Sequence, residues 1–272
     1  MTTARLHDGS VIEVKVEGDG LAVLLPVSTA LVEGEAAEQM RAWGVDPDAG
    51  RNLAAGLTGR RVITADYEGH RAACPAQKTL TADAVAHDLL AIADAAGAER
   101  FDYYGYSWLA LAGLQLAIRT DRLTGLAMGG FPPLGGPYEA MLTVTRAAHR
   151  QALENRANPP RTEPVEPGDW ESSEVTVAPE QTGQYVTLYE SLQGFDETTV
   201  ELAIPRLAFA GADDVIVYGA KWDHARVDIG PALASHREEL ERKGWIVHVI
   251  DEADHMSAMH ATVVREWLRG RR

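Results

Sequence analysis

Apolar residues along the first half of the chain follow two alternating patterns. The continuous apolar run at 21–25 is typical of a strand that is buried on both faces of a sheet, and strands are also predicted at 61–66 and 123–128. Segments 81–96 and 109–118 instead repeat their apolar residues at helical spacing. Because strands and helices alternate in this way, the pattern predicts an α/β fold with a mostly parallel twisted sheet and helices on both faces.

The first two predicted strands differ from those runs. Residues 11–16 alternate apolar and polar side chains, as a half-buried strand does, and residues 3–6 are expected to pair with them across a turn. Residues 36–43 are predicted to be helical, and the polar stretch 67–71 is predicted to be a loop.

A helical cap insertion is predicted between the two halves of the sheet. The pattern indicates helices at 138–157 and 184–192, and between them the stretch 159–179 is rich in Pro, Glu, Ser and Thr. That stretch is expected to be an irregular loop, with a disordered linker as the alternative. The predicted domains are a core, residues 1–136 and 201–272, and a cap, residues 137–200.

The sheet pattern returns after the insertion. Strands are predicted at 206–210 and 245–250, with a helix at 231–243 between them, and a final helix is predicted from 255 to 268.

The stretch Phe101–Ala110 places a serine where a strand turns directly into a helix. The aromatic strand ends near Gly105, Ser107 follows, and the helical pattern begins at once. Such a turn exposes the hydroxyl above the sheet edge and directs the N–H groups of the following helix at developing negative charge. The alternative is a serine that only caps a buried helix.

Three polar loops follow predicted strand ends, where open parallel sheets place their active sites. They carry Ser107, then Asp213 or Asp214, then His255. A serine hydroxyl is a weak nucleophile that needs a base such as histidine, and the imidazole needs a carboxylate to fix its tautomer. Taken singly, the aspartates could be turn residues and His255 could be a helix-capping residue.

Composition limits the partners of the chain. Its 272 residues are 46% hydrophobic and carry a formal net charge of −15, so contact with nucleic acid or anionic membranes is not expected. Cys74 is the only cysteine, and the N-terminal residues show no apolar signal core. We expect a cytoplasmic protein with a small-molecule substrate, and the oligomeric state, a homodimer included, stays open.

Neither a metal site nor a cofactor is predicted. His255 and His260 are five residues apart and do not share a helix face, and the sequence has no glycine-rich phosphate loop.

Four segments resemble the α/β-hydrolase family, over nearly the whole chain. Residues 61–70, RVITADYEGH, are similar to the family segment RVIAxDxxGHG, and residues 105–109, GYSWL, resemble its GxSxG elbow. Residues 211–214, GADD, resemble the GxxD acid loop, and residues 253–255, ADH, resemble the terminal loop that carries the histidine. The family also has a cap between its sixth and seventh strands, where the insertion is predicted here.

The resemblance implies a serine hydrolase. Ser107 would attack, His255 would shuttle the proton, Asp214 would orient His255, and the Trp108 N–H would stabilise the oxyanion. The expected substrate is an ester, thioester or lactone of a small, largely apolar compound. The alternatives are an aminopeptidase-like amidase and a catalytically impaired protein that only binds ligands.

Two positions depart from the family pattern. Leu109 stands where the elbow has a small residue, so crowding of the turn is expected. Residues 26–28, PVS, replace the family's His-Gly after the third strand, which leaves either Val27 or Ser28 as the second oxyanion donor. Losing one such donor typically lowers the rate by about 10²–10³.

Overall fold

A computed structural model describes residues 2–158, 166, 169–170, 173–259 and 262–271 of the chain. The strands in these ranges are β1 (Thr2–Arg5), β2 (Val11–Glu17), β3 (Ala22–Leu25), β4 (Arg61–Thr64), β5 (Phe101–Tyr106), β6 (Leu123–Gly129), β7 (Arg206–Gly211), β8 (Val215–Val217), β9 (Arg226–Asp228) and β10 (Trp245–Ile250). The α-helices are α1 (Gly34–Ala42), α2 (Ala49–Gly56), α3 (Tyr67–Ala73), α4 (Ala82–Ala95), α5 (Trp108–Ala117), α6 (Tyr138–Ala157), α7 (Pro179–Glu190), α8 (Gly230–Ser235), α9 (Arg237–Arg242), α10 (His255–Ala258) and α11 (Val263–Gly270). None of the described helices is long and apolar enough to span a bilayer.

Eight strands form one sheet in the order β1-β2-β4-β3-β5-β6-β7-β10, and β8 pairs with β9 as a separate antiparallel ribbon. β1 and β2 are antiparallel to their neighbours, whereas the strands from β4 to β10 in that order run parallel. The predicted fold class is therefore confirmed. Because the parallel strands share one direction, the loops after β5, β7 and β10 emerge at the same edge of the sheet.

Helices cover both faces of this sheet, and its parallel strands supply apolar side chains to both sides. In β3, Leu24 belongs to the hydrophobic cluster on one face, while Val23 and Leu25 belong to the cluster on the other. α5 is buried from Trp108 to Leu116. A helix that is apolar all round belongs in the interior, and α5 lies against β5 and β6 at the centre of the fold.

The prediction of a loop at 67–71 is wrong, because this stretch belongs to α3. The helix lacks an apolar stripe, but its N-cap residue Asp66 accepts a hydrogen bond from the Gly69 N–H at 2.9 Å. Tyr67 and Arg71 are buried, so the tertiary contacts of these two side chains stabilise the short helix α3.

Other element bounds also differ from the predictions. The helix predicted at 231–243 is two helices, α8 and α9, because His236 leaves the helical backbone at φ −98° and ψ 6°. The predicted final helix is interrupted between α10 and α11, and residues 260–261 lie outside the described part of the chain. The two strands of the β8–β9 ribbon have three residues each and α2 has eight, so these elements are too short for a periodic apolar pattern to be recognised.

Two helices lie between β6 and β7, where the cap was predicted. α6 has the predicted bounds, whereas α7 begins at Pro179, five residues before the predicted helix at 184–192. Proline suits a first helical turn, and the Gln181 side chain accepts a hydrogen bond from the Ala178 N–H at 2.7 Å. Most of the predicted loop at 159–179, namely 159–165, 167–168 and 171–172, lies outside the described residues.

Buried polar groups attach α7 to the core. The Gln184 side chain is fully buried, accepts from the Ala76 N–H at 3.1 Å and donates to the Arg71 carbonyl at 3.0 Å. Because leaving either partner unpaired in the interior would cost about 1–3 kcal/mol, these bonds fix how the helix sits.

A buried ion-pair cluster holds the opposite end of β5. Asp102 is 1% exposed and accepts hydrogen bonds from Arg60 at 2.7 Å, from Arg271 at 2.9 Å and from Thr124 at 2.6 Å. Burial alone would raise the pKa of Asp102, but the hydrogen bonds from Arg271, Thr124 and Arg60 outweigh it and hold that pKa below its ordinary value.

We expect Asp102→Ala to lower the free energy of unfolding by about 3–5 kcal/mol, because it leaves the buried Arg60 guanidinium uncompensated. Urea unfolding at neutral pH measures the change. The matched control is Glu190→Ala, which breaks a half-exposed pair with Arg146 and should cost less than about 1 kcal/mol. Equal losses in the two variants would contradict the assignment.

The Asp102 cluster also determines how the stability of the protein changes with pH. A carboxyl group whose pKa is lowered by folding stabilises the protein above its unfolded pKa of about 3.9, and this contribution is lost as the pH falls.

Candidate active site

The turn between β5 and α5 carries Ser107 in a strained conformation. Ser107 has φ 55° and ψ −129°, a region that side chains with a Cβ rarely occupy, and its N–H donates to the Gly129 carbonyl at 2.8 Å. A Cβ at position 105 would lie 2.2 Å from the carbonyl oxygen of Leu109, so only glycine allows this close approach.

Leu109 fits within this turn. Its side chain is buried at the start of α5, and its carbonyl accepts a hydrogen bond from the Tyr103 hydroxyl at 2.9 Å. The backbone of Leu109, rather than its side chain, makes the close approach to Gly105. The pairing of β5 with β6 continues through Tyr106 opposite Gly129, directly before the turn. The pairing of β5 with β6 is therefore intact despite the crowding that was expected from Leu109.

His255 lies between Ser107 and Asp214. Its Nε2 is 3.2 Å from the Ser107 Oγ, and its Nδ1 is 2.9 Å from one carboxylate oxygen of Asp214 and 3.1 Å from the other. An ionised carboxylate only accepts hydrogen bonds, so Nδ1 carries the proton and Nε2 accepts from the serine hydroxyl. The structure thus brings together the three side chains that the sequence singled out, from three separate loops.

The two adjacent aspartates face different surroundings. Asp214 is 0% exposed, whereas Asp213 is exposed to solvent. Burial raises the pKa of Asp214 above its ordinary value, and the hydrogen bond and charge of His255 act in the opposite direction. The geometry therefore selects Asp214 as the partner of the imidazole.

Main-chain contacts lock the aspartate loop to the histidine loop. The Asp213 N–H donates to the Ala253 carbonyl at 2.9 Å, and the Ala212 N–H donates to the Ile250 carbonyl at 2.8 Å. A Cβ at Gly211 would lie 2.0 Å from the Ala253 oxygen. The two loops consequently move as one unit, which keeps Asp214 and His255 in register.

Asp254, the neighbour of His255, has a different role. Its side chain caps α10 by accepting from the N–H groups of Met256 and Ser257 and from the Ser257 hydroxyl. These hydrogen bonds, with that of the Ser257 hydroxyl first, lower the pKa of Asp254. Asp254 therefore caps a helix and does not contact the imidazole through its carboxylate.

Tyr106 and Gly130 support the histidine, and sequence reasoning missed both. The Tyr106 hydroxyl donates to the His255 carbonyl at 2.6 Å, and the two rings lie 5.2 Å apart. Gly130 has φ +64°, and a Cβ there would lie 3.1 Å from the His255 Cε1. Neither position carries a signal in a single sequence, because their roles depend on a loop about 150 residues away.

Three main-chain N–H groups near Ser107 have no acceptor within the described ranges. They belong to Trp108, Val27 and Ser28, the residues predicted to supply the oxyanion donors, and all three residues line the cavity that contains Ser107. The Ser28 carbonyl lies so close to α2 that a Cβ at Gly50 would be 2.2 Å from it. This contact holds the 26–28 segment against the helix, and both Val27 and Ser28 remain candidates for the second donor.

Ser107 and His255 open into a cavity of about 570 Å³. Its walls come from residues 26–53, from the start of α3, and from α10, α11 and the residues beside them. The apolar part of the lining includes Val32, Met40, Val45, Leu53, Met256 and Met259. The cavity lining does not include the apolar cap residues, which pack in or against the hydrophobic core: Met141, Leu142, Tyr185, Leu188 and Tyr189.

Three acidic side chains also line the cavity, and sequence reasoning did not single them out. They are Asp46 and, at the start of α3, Asp66 and Glu68. The Trp108 indole N–H donates to the Glu68 Oε1 at 2.8 Å. The Glu68 side chain is exposed to solvent, but the protein atoms around it disfavour the charged carboxylate and raise its pKa, and the hydrogen bond from Trp108 partly offsets this rise.

No family profile and no curated protein sequence matches the chain. Solved structures do resemble it over nearly its whole length. An enol-lactonase from Burkholderia xenovorans LB400 is 18% identical with a TM-score of 0.58, and the match covers 98% of this chain and 97% of the other. An esterase from Exiguobacterium antarcticum is 15% identical with a TM-score of 0.58, covering 99% and 97%. Epoxide hydrolase A from Mycobacterium thermoresistibile is 17% identical with a TM-score of 0.56, covering 98% and 96%.

These similarities identify the architecture. The strand order, the antiparallel β2 and the matched structures together show that this chain has the α/β-hydrolase fold. The fold predicted from the sequence motifs is thereby confirmed.

We expect Gly105→Ala to destabilise the protein by about 1–3 kcal/mol, because its Cβ would force the Leu109 backbone away from β5. Thermal unfolding measures the effect. Gly270→Ala is the matched control, since a Cβ there has no neighbour within 4 Å and should change stability by less than about 1 kcal/mol. A Gly105→Ala variant as stable as this control would show that the turn is not closely packed.

Proposed function

We propose that this protein is a serine hydrolase that cleaves an ester, thioester or lactone of a small, largely apolar compound through an acyl-enzyme. The observation that carries the proposal is the hydrogen-bonded chain from Ser107 through His255 to Asp214 at the wall of the cavity. In this series of hydrogen bonds the imidazole accepts from the serine hydroxyl on one side and donates to a buried carboxylate on the other, which is the arrangement that activates a serine.

The proposed reaction has two halves. The Ser107 Oγ attacks the carbonyl carbon while the His255 Nε2 takes the hydroxyl proton, and the Trp108 N–H with that of Val27 or Ser28 stabilises the oxyanion. The tetrahedral intermediate collapses to an ester on Ser107, and His255 returns the proton to the departing alcohol or thiol. A water molecule then attacks this ester, gives its proton to His255, and releases the acid and free Ser107.

The nucleophile favours acyl substrates over epoxides. Attack of a serine oxygen on an epoxide carbon would give an ether, and an ether has no carbonyl at which water could release the product. An ester, thioester or lactone instead gives an acyl-serine that the same histidine can hydrolyse. The cavity volume of about 570 Å³ and its apolar walls suit a small, mainly hydrophobic compound.

Two alternative functions can be distinguished from the proposed one by specific tests. An aminopeptidase-like amidase would use the same groups, with His255 protonating an amine leaving group, and would turn over amides as well as the matched esters. A ligand-binding protein on this fold would bind compounds without turning them over. The intact hydrogen-bond chain favours the hydrolase over the binding protein, because binding alone does not require a polarised serine.

We expect Ser107 to react with a fluorophosphonate probe and Ser107→Ala to lose both labelling and ester turnover. Labelling detected by mass spectrometry and hydrolysis of a panel of p-nitrophenyl esters measure the two effects. Ser235→Ala, which removes an exposed serine far along the chain, is the control and should label normally. Turnover by Ser107→Ala above one tenth of the wild-type rate would remove Ser107 as the nucleophile.

Asp214→Asn should lower kcat by up to about 10⁴, because an amide cannot stabilise the protonated imidazole and can favour the wrong tautomer. Asp213→Asn removes the same charge from the adjacent, solvent-exposed position and should stay within a factor of about three. Steady-state kinetics on one p-nitrophenyl ester compare the two. The reverse order would move the acid to Asp213, and two unimpaired variants would mean that the acid lies elsewhere.

A further inference from the structure

Glu68 lines the cavity and is exposed to solvent. Its Oε1 accepts from the Trp108 indole, while no donor to its Oε2 is found among the described residues. Asp46 accepts from the Asp48 N–H with one oxygen and from the Asn52 amide with the other, and Asp66 caps α3 by accepting from the Gly69 N–H. Glu68 is the cavity-lining carboxylate that is hydrogen-bonded to the residue next to Ser107, so it is the one placed to pair with a charged group of a ligand at the serine.

The charges of the cavity point to the kind of ligand. Asp46, Asp66 and Glu68 face it, and Arg265 is the one arginine or lysine among the described lining residues. Glu68 makes no ion pair within the described ranges. A positive group placed beside Glu68 would give this carboxylate the cationic partner that the described residues do not supply.

Glu68 is not needed to hold the Trp108 ring in place. The ring packs against Tyr67 at a centroid distance of 5.9 Å and against Tyr185 at 5.3 Å with an edge-to-face angle of 76°. Aromatic contacts of this kind fix a ring by packing alone. The carboxylate of Glu68 is thus left with a charge that the local structure does not require.

We propose that Glu68 is a specificity-determining residue that binds an ammonium group of the substrate, carried on a small and otherwise apolar ester. The inference rests on the proposed hydrolase function and narrows its substrate class. The ammonium group would lie at the Glu68 Oε2, on the same cavity as the attacking Ser107 oxygen. The apolar walls from residues 26–53 would contact the rest of the molecule.

The test uses two esters of the same shape that differ in charge. Butyrylcholine carries a quaternary nitrogen where 3,3-dimethylbutyl butyrate carries a carbon atom. We expect wild-type kcat/KM to favour butyrylcholine by about tenfold, because its quaternary charge would lie beside the Glu68 carboxylate whereas the neutral analogue gains no such attraction. In Glu68→Gln the ratio should fall close to one, mainly through KM. Glutamine can still accept from the Trp108 indole, so this variant isolates the charge.

A matched control excludes a general effect of net charge. Glu99→Gln removes one negative charge from an exposed position outside the cavity, and it should keep the wild-type ratio. A second matched pair carries the charge on the acyl side: p-nitrophenyl 5-(trimethylammonio)pentanoate and p-nitrophenyl 6,6-dimethylheptanoate. Comparison of the two pairs shows whether Glu68 contacts the acyl half or the alcohol half of the substrate.

The outcomes separate this inference from the proposed function. Hydrolysis of both members of each pair at equal efficiency would leave the hydrolase intact and overturn the role of Glu68. An equal loss for charged and neutral esters in Glu68→Gln would also overturn it and assign Glu68 to supporting Trp108. If no ester is hydrolysed, calorimetry with choline and 3,3-dimethylbutanol decides: choline binding that disappears in Glu68→Gln supports the inference, and equal binding of both alcohols overturns it.

Discussion

The contact between Gly105 and the carbonyl of Leu109 governs the geometry of the whole site. It closes the turn so tightly that Ser107 must adopt a positive φ angle, which costs about 1–3 kcal/mol. The burial of α5 offsets this cost, because fully burying a single leucine such as Leu114 contributes about 1.5–3 kcal/mol. Several buried residues of one helix therefore hold one strained residue, and the serine hydroxyl stays aimed at His255.

The environment of each aspartate near His255 determines its role. Asp213, Asp214 and Asp254 all lie on the loops that carry or contact His255, yet their oxygens face solvent, the imidazole and a helix N-terminus respectively. Asp254 accepts from two N–H groups and a hydroxyl at the start of α10, and Asp213 is exposed to solvent. Only Asp214 combines burial with a single dominant partner, so only this carboxylate can stabilise a proton on the imidazole without competition.

Much of this could be predicted from the sequence, because the informative signals are local. A strand that ends in Gly105-Tyr-Ser107, an acidic turn after Gly211 and a histidine after the last strand each place one side chain at the same sheet edge. The positions of α3 and of the cavity walls could not be predicted from the sequence. α3 depends on the cap at Asp66 and on buried contacts of Tyr67, neither of which leaves a periodic apolar pattern in the sequence.

Trp108 links the two parts of the site that the sequence could and could not reveal. Its main-chain N–H is fixed by the turn after β5, so its position at the serine does not depend on the kind of side chain. Its indole reaches Glu68, 40 residues earlier in the chain, and binds one oxygen of that carboxylate. The residue after the serine thereby connects the proposed oxyanion donor to the proposed specificity group. The donor belongs to the backbone and the contact with Glu68 belongs to the side chain, so separate atoms of one residue serve the two proposed roles.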